Sequence, residues 1–291
     1  MVKKSTVKYL AVSLLKGILA SIIGLIGLII GSVIPALLGL SAPPVPEAVD
    51  PNLLMLLYIP VGIIVPITLG ELFKRLNQNF WERFLSILLF NYLVYGFLQV
   101  LEQILFTTTM TLAYGTISNL IQSILTSLAI ASLWKPSQTN VSIMSELPKY
   151  FARRKAVDWA WRIILAWVLY VPIYLIMGVI ISPFVTPYYT DPTLGFGTTL
   201  PRQEDIIATQ FIRGALYLLS AFPIIVLWKE SKNILGLWVG FSIFIQIAAL
   251  PILLAYWYPL AFKIPHAIEL AVSSFAQAFI YAQLLFIGAR K

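Results

Sequence analysis

The chain has no cysteine and one histidine, His266, among its 291 residues. The first absence excludes disulfides, thiol nucleophiles and cysteine-ligated metals; the second excludes a histidine-rich metal centre. Charge is scarce as well. Charged residues make up 11% of the chain and hydrophobic residues 59%, against roughly 25% and about 45–50% in an ordinary soluble domain. A soluble fold could not cover that much apolar surface, so an integral membrane protein is the class that fits. No glycine-rich phosphate loop, serine nucleophile motif or paired-histidine metal motif is present. A nucleotide-driven pump is therefore disfavoured, no cofactor or metal is expected, and an enzymatic role is the weakest of the readings left open.

Long apolar runs take the place of those missing features. Runs of about 20 residues read as membrane helices, and eight are found: Leu10–Ile34, Leu53–Leu69, Phe84–Leu105, Leu112–Trp134, Trp159–Val185, Ile206–Trp228, Ile234–Tyr256 and Ile264–Ile287. The formal net charge of +8 then falls into a pattern. Lys3, Lys4, Lys8, Lys16, Lys74, Arg75, Arg83, the basic residues from Lys135 to Arg162, Lys229, Lys232, Arg290 and Lys291 all lie on one side of an eight-span chain. The other side holds Arg202 and Lys263 with the acids Glu47, Asp50, Asp191, Glu204 and Asp205. The positive-inside rule makes the basic side, with both termini, cytoplasmic in a cell membrane. The charge reads as topology and not as a nucleic-acid footprint. "Leu-Ser-Ala" ending at Ala42 resembles a signal cleavage site, but the preceding run exceeds an h-region of about 7–15 residues and Pro43 follows, so the first span is retained.

The expected fold is an all-α polytopic bundle forming one membrane domain, residues 1–291. Two halves, 1–134 and 159–291, are expected to flank a cytoplasmic segment, 135–158. Both halves start inside, and "Lys16-Gly-Ile-Leu-Ala20" is echoed by "Arg162-Ile-Ile-Leu-Ala166", which suggests a 4+4 parallel repeat. Within the segment, a helix is expected from Ser145. Its Lys149, Arg153, Arg154 and Lys155 beside Tyr150, Phe151 and Trp159 suit anionic lipid on the inner surface, or a plain positive-inside anchor. The loop from Thr186 to Asp205 is a candidate lid over the outer mouth. In the first span Gly17, Ala20, Gly24, Gly27 and Gly31 form a small-residue face, suited to packing inside the bundle or, less simply, to dimerisation.

Polar residues inside the spans fall in stripes at three- and four-residue spacing, which places each set on one helical face. The third span has Asn91, Tyr95, Gln99, Glu102 and Gln103. The fourth has Asn119, Gln122, Ser123 and Thr126. The sixth has Gln210, Arg213, Tyr217 and Ser220, and the eighth has His266, Glu269, Ser273, Gln277 and Tyr281. Lipid cannot hydrogen-bond such groups, so the stripes point inward. A rise of about 1.5 Å per residue puts Glu102, Arg213, Glu269 and His266 in one layer, the outer third. Arg213 is expected to pair with Glu102, Glu269 or both, with Gln99, Gln103, Gln210, Tyr217, Ser273 and Gln277 as polar lining. Snorkelling of Arg213 to the headgroups and a purely structural ion pair are the competing explanations.

"Glu102-Gln-Ile-Leu-Phe106", "Arg213-Gly214" and "His266-Ala-Ile-Glu269" give the chain a further likeness. In these motifs it resembles a family of bacterial multi-pass membrane proteins to which no activity is assigned. The resemblance implies that the three positions belong together, and nothing about a substrate. Three function classes stay open: a transporter or permease with its site in the outer half, an assembly subunit without a site, and an intramembrane enzyme using His266 and Glu269.

Overall fold

The computed structural model describes residues 4–45, 49–107, 111–191 and 198–288. Glu47, the tip of the loop at 192–197, Arg290 and Lys291 lie outside them. Among the described residues, eight helices are long and apolar enough to cross a membrane: Thr6–Leu37, Pro51–Lys74, Phe80–Phe106, Leu112–Leu133, Ala156–Thr190, Gln203–Leu227, Lys232–Leu254 and Leu260–Leu284. The protein is a multi-pass membrane protein. Side chains such as Leu15, Ile176 and Phe184 lie exposed on the outside of the bundle, where hydrocarbon rather than water is their solvent.

Several spans are interrupted, and prolines account for most of the breaks. Pro66 has no N–H for the Gly62 carbonyl, and the second span breaks at Ile63. Pro172 likewise cannot bond Val168, and the fifth span breaks at Leu169. The seventh span runs through a π turn, Ile245–Ala249, just before Pro251. The third span carries its own π turn, Tyr92–Phe97, with no proline in it.

The fourth span packs on the first and third, and the eighth packs on the fifth and seventh. The sixth crosses to the third, the second to the seventh, and the two π turns meet in the middle. Small residues set the closest approaches. A Cβ on Gly31 would lie 2.5 Å from the Ser118 carbonyl oxygen, and one on Gly27 would lie 3.0 Å from the Gln122 Cα. Gly17 and Gly24 meet Ile67 and Thr126. The small-residue face of the first span is thus filled from within the bundle.

One end of the bundle carries most of the basic residues, and its loops are tied down. Arg83, 2% exposed, donates to the Gln78 and Ala131 carbonyls at 2.9 and 2.8 Å. Arg75 pairs with Glu230 at 2.6 Å, and Glu82 accepts from the Ile143 amide. The helix expected from Ser145 begins two residues earlier, as Ile143–Phe151. Its Tyr150 hydroxyl donates to the Leu285 carbonyl at 2.6 Å, and burial pushes that hydroxyl's pKa up, keeping it a donor. Arg153 and Arg154 donate to the Gly288 and Leu284 carbonyls. The Leu284 carbonyl is one that the end of the last helix leaves without an intrahelical partner. Lys149 pairs with Glu146, and Lys155 precedes the fifth span.

The opposite end carries the acidic loops. Asp50 caps the second span by accepting from the Asn52 amide at 2.8 Å. The fifth span stays helical to Thr190, so the first part of the expected loop is helix. Past the undescribed tip, the Thr199 amide donates to the Phe106 carbonyl at 2.8 Å, stitching the loop to the end of the third span.

Candidate functional site

Arg213 sits ten residues into the sixth span, on the face that also carries Gln210 and Tyr217. It is 3% exposed. One terminal nitrogen forms an ion pair with the Glu102 carboxylate, and the other donates to the Tyr170 hydroxyl at 3.1 Å. The guanidinium carbon stands 5.9 Å from the Tyr170 ring centre and 5.5 Å from that of Tyr174, within cation–π range. Its Nε has no partner. Glu102 reaches this position from the last helical stretch of the third span, beyond the π turn.

Glu269 takes a different partner. Also 3% exposed, it accepts from or donates to His266 Nδ1 at 3.2 Å, and the other ring nitrogen lies 3.1 Å from the Tyr189 hydroxyl. The imidazole packs edge-on against Phe262, with centroids 4.6 Å apart. Among the described residues, Arg213 forms no ion pair with Glu269. Of the two pairings expected for Arg213, the one with Glu102 is made.

Two cavities border this layer. One of about 210 Å³ runs between the third, sixth, seventh and eighth spans, past Gln99, Gln103, Tyr217 and Lys263. The second, of about 300 Å³, lies toward the fifth span, past Tyr174, Gly178 and Glu269. Glu102, Phe106, Tyr189, Arg213, His266 and Leu270 line both. The ionisable cluster therefore stands between two neighbouring spaces, with Lys263 as a further cation whose ammonium donates to the Ala255 carbonyl at 3.3 Å. The arrangement offers a buried guanidinium edge, two carboxylates and an imidazole at the wall of a space large enough for a small ligand.

The expected lining divides in two. Gln99, Gln103 and Tyr217 reach a cavity. Gln210, Ser273 and Gln277 line neither cavity and are fully or almost fully buried; Gln277 donates to the Ala166 carbonyl at 2.7 Å, while the side-chain amide of Gln210 has no partner. The stripe of the fourth span serves another patch altogether. Gln122 donates to the Tyr58 hydroxyl, and Asn119 donates to the Gly96 carbonyl at 2.8 Å.

The sequence did not single out Tyr170, Tyr174 and Tyr189. The first two stand four residues apart on the fifth span, a stripe that was available to be read. Tyr189 falls in the stretch expected to be loop. No protein-family model, curated protein or solved structure matches the chain.

Proposed function

We propose that the protein is a transporter-like membrane protein whose substrate site is the Arg213–Glu102 and Glu269–His266 layer. One observation carries this reading. Four ionisable side chains from three spans converge at one depth beside two neighbouring cavities, and Arg213, Glu102 and His266 line both. A pair serving only to fix packing has no need of a cavity, whereas intramembrane charges that line one mark solute or proton pathways. Arg213 and Lys263 balance Glu102 and Glu269, so the cluster is neutral when His266 is uncharged. An anionic solute and a proton on His266 would enter together and keep it so, which is the charge logic of proton coupling.

In this reading the basic end faces the cytoplasm and the site opens toward the other side. The two halves are parallel repeats, each with its fourth span packed on its first and third and a π turn inside its third. Packing of each second span across onto the opposite half supports such a pseudo-two-fold arrangement, and relative motion of repeats is how many transporters alternate access.

The cysteine-free chain gives the test. Single cysteines are placed at Gln103, on the cavity wall, and at Ser242, fully buried on the seventh span. Gln103→Cys is expected to react with an impermeant thiol reagent from the acidic end. Ser242→Cys is expected to react from the basic end in part of the population, as the site opens that way. A Ser242→Cys variant inert from both sides would leave a static vestibule and overturn the transporter reading.

A further inference from the structure

The fifth and sixth spans touch closely at one level and part beyond it. A Cβ on Gly214 would lie 2.7 Å from the Trp167 carbonyl oxygen, and the Trp167 indole donates to the Phe211 carbonyl at 2.7 Å. Three turns farther along the fifth span, a Cβ on Gly178 would meet nothing within 4 Å. The wedge between the two helices is the cavity of about 300 Å³. Its walls are largely apolar, with Leu175, Val179 and Val185 on one side and Leu200 and Ile206 on the other, and with Ser182, Thr186 and Gln203 as the polar exceptions. Val179 is 74% exposed on the flank of the bundle, so the rim faces hydrocarbon. The floor has the opposite character, with Arg213, Glu102, His266 and Glu269.

An apolar-walled slot that opens sideways and ends on charge does not suit a small hydrated solute, which would lose its water along the walls without replacement. It suits a molecule with one apolar and one charged end. The Arg213 Nε is buried and has no partner, and a guanidinium edge matches the oxygens of a carboxylate or phosphate. Glu269 already engages His266, which leaves the Arg213 Nε as the donor of the charged layer without a partner.

We propose that the wedge is a lateral portal through which an amphiphile with an anionic head enters from the leaflet bordering the acidic end. Its chain lies along the fifth span and its head rests on Arg213. The inference rests on reading the charged layer as a substrate site, and it adds the class of solute and the route.

The test is photo-crosslinking in phosphatidylcholine vesicles holding the full-length protein. The probes are diazirine-tailed phosphatidylglycerol, a diazirine-tailed fatty acid and diazirine-tailed phosphatidylcholine, with adducts mapped by peptide mass spectrometry. At least one anionic probe is expected to label residues 174–186 and 200–213 about tenfold more than the zwitterionic probe, as a charge-assisted contact allows. Which one does so separates a phosphodiester from a carboxylate source. Arg213→Gln should bring that labelling down to the zwitterionic level. Gly178→Trp fills the wedge without touching the charges; it should abolish wedge labelling and leave labelling of the exposed first span unchanged. Equal labelling by all probes, or wedge labelling that survives Gly178→Trp, overturns the portal. If the wedge stays unlabelled while Ser242→Cys still alternates, the site stands, its solute arrives from water, and the portal alone is wrong.

Discussion

Arg213 holds Glu102 through one terminal nitrogen and Tyr170 through the other, so removing it strands a carboxylate in a low-dielectric layer. Breaking one side of a buried pair costs about 3–5 kcal/mol. Arg213→Ala is therefore expected to lower the thermal midpoint and the folded yield in detergent. Adding Glu102→Gln should recover part of the loss. Adding Glu269→Gln should recover none, because that carboxylate is held by His266; equal rescue by both would show that Arg213 is shared between them. The sequence placed these residues in one layer because rise per residue needs only the span ends. It left the choice of carboxylate open, because that depends on rotation about the helix axis, and the third span turns through a π segment before Glu102. Tyr189 escaped notice because it lies beyond Val185, in the stretch expected to be loop, yet the helix runs through Pro183 and Pro187 to Thr190.

At the scale of the element, the breaks and close approaches carry the geometry. All eight spans were legible, since length and hydropathy alone define them, and the helices simply extend a few residues past most apolar edges. The π turn Tyr92–Phe97 was not, because no residue type in it demands the extra residue per turn. Its effect is testable. Deleting Leu93 would restore an α-helical register and rotate everything beyond by about 100°, swinging Glu102 off Arg213. The stability loss should then not grow when Glu102→Gln is added; a further loss on adding it would mean the pair survives the deletion. Glycines separate as clearly. Gly214→Ala forces a Cβ against the Trp167 carbonyl oxygen and is expected to cost about 1–3 kcal/mol by overpacking. Gly178→Ala enters open space and should leave the thermal midpoint unchanged.

For the whole molecule, the arrangement we propose is two halves enclosing one polar layer. The small-residue face of the first span was legible as a contact surface but not as to its partner, since a pattern of glycines says only that something comes close; the fourth and second spans fill it. Orientation is checked with single cysteines at Val45 and Ser137, both exposed, at opposite ends. Val45→Cys should react with an impermeant reagent on intact cells and Ser137→Cys only after permeabilisation; the reverse would invert the topology. The central claim, that the charged layer is a site and not a strut, is tested most directly by an electron cryomicroscopy map of the protein in a nanodisc containing anionic lipid. Non-protein density touching Arg213 between the fifth and sixth spans is the predicted result. Annular lipids resolved around the bundle, with side chains closed over an empty wedge, would contradict it.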